Sequence, residues 1–197
     1  MPEVNEALLE ALSRCLNDED PAVRQAAAES LERLDTYRVL DDLLAALDSP
    51  DPAVAMRTMY ALAELRHERA LGGLIQVLRN PRPDLRATAV RLLGERRDPR
   101  VIGPMMEMLD DPDLNVRMVA VESLGAFEDR RLTEALLAQS QDPDPELRRK
   151  VIGALERLGD ARATEGLTAL LEDPDPGVRR LAAAALGRLE VSGDLSG

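Results

Sequence analysis

A period of 31 residues runs through this sequence and restricts it to a small set of folds. The pairs Asp20-Pro21, Asp51-Pro52, Arg82-Pro83, Asp113-Leu114, Asp144-Pro145 and Asp175-Pro176 begin 31 residues apart, six times, with no insertion or deletion. In that register Leu31, Leu62, Leu93, Leu124, Leu155 and Leu186 form one column, and Val23, Val54, Leu85, Val116, Leu147 and Val178 form another. A unit this short cannot bury an apolar face by itself. It must bury it against its neighbours, so an array of like supersecondary units is expected.

Each unit reads as two helices. After Asp-Pro, the apolar set Val23, Ala27, Leu31 and Leu34 keeps one face of a 3.6-residue period, which defines helix A. The aspartate is a natural cap for unpaired amides, and proline suits the first turn, where an N–H is not needed. A break such as Gly159-Asp160 or Arg97-Asp98-Pro99 follows, and a second set such as Leu71, Leu74, Ile75 and Leu78 defines helix B. Linkers such as Asp110-Asp111-Pro112 end helix B, because proline disfavours helix in the residue before it. The expected domain is therefore one all-α array over 1–197. It holds a lone helix B at 5–16, repeats from 20, 51, 82, 113 and 144, a final half-repeat at 175–190 and a tail at 191–197. That amounts to about twelve helices. Leu181, Leu189 and Leu195 near the last helix A are candidates for self-association or for cover by the tail.

Composition narrows the chemistry. Only 2% of residues are aromatic, with Leu and Ala dominant, which favours helices over sheets. No apolar run approaches the roughly 18 residues that a membrane helix needs. The opening MPEVNEALLEAL has no basic stretch ahead of its apolar residues, so neither a membrane span nor a signal peptide is expected, and a cytoplasmic location follows. One cysteine, Cys15, and one histidine, His67, leave no disulfide and no histidine-rich metal site. A formal charge of −12 opposes general binding to nucleic acid. The expectation is a chain without catalytic, cofactor-binding or metal residues.

The stretches Asp-Pro-Ala-Val-Arg-Gln-Ala-Ala-Ala (20–28) and Asp-Pro-Gly-Val-Arg-Arg-Leu-Ala-Ala-Ala-Ala-Leu-Gly-Arg-Leu (175–189), with Gly-Asp-Ala-Arg-Ala (159–163), carry a resemblance. Nearly the whole chain resembles short HEAT-like repeats of the phycobilisome-lyase type. The resemblance implies a right-handed α-solenoid with A helices on its convex side and B helices lining its concave side. It leaves function open, since similar repeats occur in bilin lyase subunits, scaffolds and synthetic binders.

Two arginine columns stand out. Arg24, Arg86, Arg117, Arg148 and Arg179 follow the Val column, with Ala55 as the exception, and Arg38, Arg69, Arg100, Arg131 and Arg162 open helix B. A residue demanded in every unit reads as structural, capping carbonyls or pairing with Asp98, Asp129 and Asp160, rather than as a phosphate-binding ladder. The informative variation lies on helix B away from its buried stripe. There Asp42, Arg69, Gly73, Gln76, Val77, Arg100, Glu107, Met108 and Gln139 form the candidate partner surface, with Val77, Met105, Met106 and Met108 as an apolar groove floor. The expected function is a scaffold or adaptor for another protein or peptide. The alternative is a bilin-lyase-like subunit or chromophore-handling chaperone, and nucleic-acid binding through the arginines is less favoured.

Overall fold

A computed structural model describes residues 6–194, apart from the surroundings of side chains 6, 7, 35, 36 and 190–194. Every regular element among them is helical. The α-helices are α1 (Glu6–Cys15), α2 (Pro21–Ala46), α3 (Pro52–Glu64), α4 (Glu68–Val77), α5 (Pro83–Arg96), α6 (Ile102–Glu107), α7 (Leu114–Leu124), α8 (Thr133–Ala138), α9 (Pro145–Leu158), α10 (Ala163–Ala169) and α11 (Pro176–Asp194). The chain forms two compact units whose boundary falls between Gly73 and Leu74, within α4.

The repeating aspartates start the helices as their chemistry predicts. Asp20 accepts the Ala22 amide at 2.8 Å, Asp51 that of Ala53 at 2.9 Å, and Asp144 that of Glu146 at 2.8 Å. Each satisfies an amide that the first helical turn leaves without a partner. Helix B starts the same way, with Asp98, Asp129 and Asp160 accepting the amides of Arg100, Arg131 and Arg162. His67 fills that place before α4, where its Nδ1 accepts the Arg69 amide at 3.1 Å.

The first repeat departs from the expected hairpin. Helix α2 runs unbroken for 26 residues through both helices predicted there, so the described residues hold eleven α-helices, in keeping with the expected number of about twelve. In the later repeats Arg97, Glu128 and Gly159 turn the chain with positive φ of 50, 56 and 58° ahead of the helix-B aspartate. The matching Asp35 stays helical, and Thr36 replaces the capping aspartate. Nothing interrupts propagation there at one hydrogen bond per residue, whereas the second repeat, which likewise has no left-handed residue and no carboxylate cap, breaks at an extended Leu65 with His67 capping α4. At the other end α11 continues to Asp194, so 191–194 of the predicted tail are helical, while Leu195 lies outside the described residues.

In the first unit α1 packs on α2 and α2 on α3. In the second, the A helices α5, α7, α9 and α11 stack in chain order, each on the one before. The B helices form a second layer, with α6 against α7, α8 against α9 and α10 against α11. The leucine column is the seam of this packing: Leu62, Leu93, Leu124 and Leu155 are all fully buried. Leu31 and Leu186, at the two ends of the array, are half-buried.

Two glycines test how close the helices lie. A Cβ on Gly125, just after α7, would meet Ala154 of α9 at 2.6 Å from its Cβ and 2.9 Å from its Cα. Gly125→Ala is expected to force α7 and α9 apart and to cost about 1–3 kcal/mol in urea unfolding. Gly72, inside α4, has nothing within 4 Å of the same added atom. Gly72→Ala is expected to raise stability by about 0.5–1 kcal/mol through helix propensity alone.

Candidate functional site

Two surfaces hold the residues that the sequence singles out: the linkers between repeats and the outer side of the B helices.

In the linkers every arginine of the first column grips backbone carbonyls, and Arg86, Arg117 and Arg148 also hold a carboxylate. Arg86 donates through Nη1 to the carbonyls of Asn80 and Pro81, and through Nε and Nη2 to both carboxylate oxygens of Asp111 at 2.7 Å. Arg148 repeats this on Asp142, Pro143 and Asp173, and Arg117 makes the carbonyl contacts on Asp111 and Pro112 with one Nε bond to Asp142 at 2.9 Å. The side chains of the Arg86–Asp111 pair are only 11% and 3% exposed, and those of Arg148–Asp173 10% and 5%. Arg24 and Arg179 make the carbonyl contacts alone, on Asp18 and Glu19 and on Asp173 and Pro174. The sequence reading missed the acceptor column Asp18, Ser49, Asn80, Asp111, Asp142 and Asp173. In every linker that residue also accepts the amide two positions on. The available signal was the Arg-to-Asp spacing of 25 residues, which fails in the sequence at Arg24, where Ser49 takes the acceptor place, and where Ala55 and Asn80 replace both members at once.

The second column lies at the mouth of each B helix and is largely exposed. Arg100, Arg131 and Arg162 fold back on Asp98, Asp129 and Asp160, two residues before each. Arg162 also reaches the Arg130 carbonyl at 2.5 Å, and the buried Thr133 hydroxyl donates to Asp160 at 2.8 Å. In the first unit Arg69 bridges to Asp41 at 2.5 Å, a pair about 40% exposed and so worth little in stability. Arg38 is exposed on α2.

These pairs set a pH dependence. The Arg162 hydrogen bond, more than the Arg162 amide and the Thr133 hydroxyl, holds Asp160 at about 2 against its burial. Arg100 does the same for Asp98, also at about 2. Arg148 holds Asp173 below the usual carboxylate range. Burial, the largest influence on Asp111, pushes it up, yet the bonds from Arg86 and the Asp113 amide together bring it lower. A carboxylate depressed in the folded state binds fewer protons than its unfolded counterpart below pH about 4. Its stabilisation is therefore complete above that pH and lost as pH falls towards about 2. Tm is expected to be level from pH about 5 to neutrality and to drop between about 4 and 2, with a smaller drop in Asp160→Asn.

The B-helix surface divides the candidate partner residues. Gln76, Arg100 and Glu107 are exposed in the second unit, and Gln139 is half-exposed, donating to Asp110 at 3.1 Å. Asp42 is exposed and Arg69 half-exposed in the first unit. Gly73, Val77 and Met108 are buried, Val77 and Met108 at 7% and 9% exposure, and so is Met105. The groove floor predicted from them is packing, and Met106, 36% exposed, alone of that set reaches the surface. At Gly73 an added Cβ would lie 2.5 Å from Leu44, so its small size serves helix packing within the first unit. The structure also shows a cleft that the sequence did not signal, of about 390 Å³, on the A-helix side between α5 and α7. Arg91, Glu95, Arg97, Glu122 and Ser123 line it. Cys15 is half-buried. No helix among the described residues is long and apolar enough to cross a membrane.

Comparison with known proteins agrees with this geometry. No curated protein matches the chain. Among solved structures, the complex of CpcE and CpcF of phycocyanin lyase from Nostoc sp. PCC7120 is 25% identical over 79% of this chain and 68% of that one, with a TM-score of 0.61. A designed armadillo repeat protein in complex with the peptide (KR)4 is 19% identical over 92% of this chain and 99% of its own, with a TM-score of 0.57. An engineered protein, also 19% identical, matches over 95% and 98%, with a TM-score of 0.51. The last two show the all-α solenoid fold alone. The family profile of HEAT repeats matches residues 5–72, 72–142 and 133–196. Nearly every residue thus falls within a match, and the chain belongs to the family of HEAT repeats.

Proposed function

We propose that this chain is a non-catalytic scaffold that binds a protein or peptide segment on the B-helix surface of its second unit. The observation that carries this reading is the variation of exposed residues on a constant frame. Equivalent positions hold Gly103, Glu134 and Glu165; Met106, Leu137 and Thr168; and Glu107, Ala138 and Ala169, while the buried columns beneath barely change. Packing does not dictate these side chains, so their differences are free to specify a partner. Met106 and the half-exposed Leu137 offer an apolar centre, with Glu107, Asp110, Glu134 and Glu165 around it and Gln76 and Gln139 beside them. An apolar anchor with cationic flanks complements such a face. Arg100 fits its rim, and Asp42 and Arg69 are the candidates in the first unit. The filled forks of Arg86 and Arg148 support a protein partner over a phosphate backbone. A cytoplasmic setting accords with this reading.

The test is affinity capture of the intact protein from its source lysate, followed by mass spectrometry and an absorption spectrum. The expected eluate is a stoichiometric, colourless protein whose recovery falls about 10-fold or more in the Met106→Glu, Glu107→Arg double variant at unchanged helicity. Undiminished capture by that variant contradicts the assignment. The similarity to the phycocyanin lyase complex favours a second reading, a lyase-like subunit handling a chromophore. A coloured eluate would support it.

A further inference from the structure

The cleft between α5 and α7, about 390 Å³ on the A-helix side of the second unit, lies where one side chain of the repeat is cut short. In the next interface Arg157 of α9 lays its guanidinium over Gly125, where an added Cβ would stand 3.0 Å from Nη2. In the one after, Arg188 of α11, in the same column, reaches back to Glu156 of α9. Just after α7 that column holds Ala126, whose methyl group cannot cover Gly94 of α5 as Arg157 covers Gly125. Gly94, Val119 and Ala126 are left as an apolar floor, with the Ser123 side chain beside Gly94.

The charges around this floor do not balance. Glu95 pairs with Arg91 at 3.1 Å and Glu122 with Lys150 of α9 at 2.8 Å, so both carboxylates of the cleft already have a cation. Arg97 is exposed on the rim, and its guanidinium makes no hydrogen bond or ion pair among the described residues. The turn does not call for an arginine, since Glu128 and Gly159 hold the same place in the next two repeats at φ 56 and 58°. Packing does not call for one either, because the side chain is exposed.

We propose that this cleft binds a small carboxylate with an apolar body, the carboxylate on the Arg97 guanidinium and the Ser123 hydroxyl, the body on the floor that Ala126 leaves open. A guanidinium takes a carboxylate through two parallel hydrogen bonds, and the volume falls within the range of small-molecule pockets, about 300–1,000 Å³. Glu95 and Glu122 on the walls repel a phosphate dianion more strongly than a single carboxylate, which sets the class of ligand. The site lies in the A-helix layer and goes beyond the partner surface proposed above. Either reading stands if the other fails.

Titration of the isotope-labelled full chain with naphthoate, followed through its amide NMR shifts, tests the site. The expected dissociation constant is about 1 mM or tighter, with the largest shifts at Gly94, Arg97 and Ser123. Naphthamide, the neutral counterpart, should bind about 10-fold or more weakly, and inorganic phosphate should not displace the acid. Arg97→Gly keeps the turn, as Gly159 does, and is expected to weaken naphthoate about 10-fold or more with circular dichroism unchanged. Ala126→Arg fills the floor as Arg157 does one interface on, and should abolish binding even though it adds a positive charge. Simple attraction of an anion to a basic surface would instead make that variant bind more tightly. No shifts with naphthoate, equal affinity for the amide, displacement by phosphate, undiminished binding by either variant, or shifts centred elsewhere would overturn the proposal.

Discussion

Replacing Arg148 with Ala is expected to lower the unfolding free energy by about 3–5 kcal/mol, measured in urea, with loss of cooperativity in the second unit. The change removes a two-pronged ion pair with Asp173 and two carbonyl contacts on the preceding linker in one step. The cost arises because Asp173, with its side chain 5% exposed, is left charged without its guanidinium in a site nearly closed to water. The double change Arg148→Met with Asp173→Asn should be far milder. It leaves no orphaned charge, and the asparagine can still accept the Asp175 amide, as Asn80 accepts that of Arg82. A double variant as unstable as the single one would mean that attraction within the pair, rather than avoidance of a lone buried charge, dominates.

Leu93→Ala is expected to cost about 2–5 kcal/mol. Leu93 is fully buried in α5, in the column shared by Leu62, Leu124 and Leu155, where neighbouring helices cannot close the gap without giving up their own packing. The same change at Leu31, half-buried in α2, should cost markedly less. Equal losses at the two positions would contradict a seam that is tightest inside the array.

The period, the paired helices and their aspartate caps were legible because each follows from a local rule that repeats: a carboxylate before a helix, a proline in its first turn, leucines at helical spacing. Three features escaped for physical reasons that a single unit does not reveal. The break within the first repeat is absent at Asp35 and Thr36, positions that differ from Arg97-Asp98 and its like no more than Arg66-His67 does, and at Arg66-His67 the chain breaks on the extended Leu65 and the His67 cap. The groove floor was misassigned because Val77 and Met108 lie three residues after the fully buried Leu74 and Met105, on the same helical face, so the buried stripe of helix B is wider than its leucine set indicates, while Met106, one residue after Met105, turns outward. The arginine column was seen, but its partners lie in the following linker. A contact between repeats shows only when their spacing is compared across the column, as with Arg86 and Asp111.

The measurement that tests the scaffold reading most directly is hydrogen exchange of the intact chain, alone and bound to its captured partner. The account predicts that the largest slowing falls on 99–110, 130–141 and 161–172, the B-helix segments, with α5, α7 and α9 little changed. Slowing centred on α5 and α7, beside the cleft lined by Arg91 and Arg97, or none along the B helices, would contradict it.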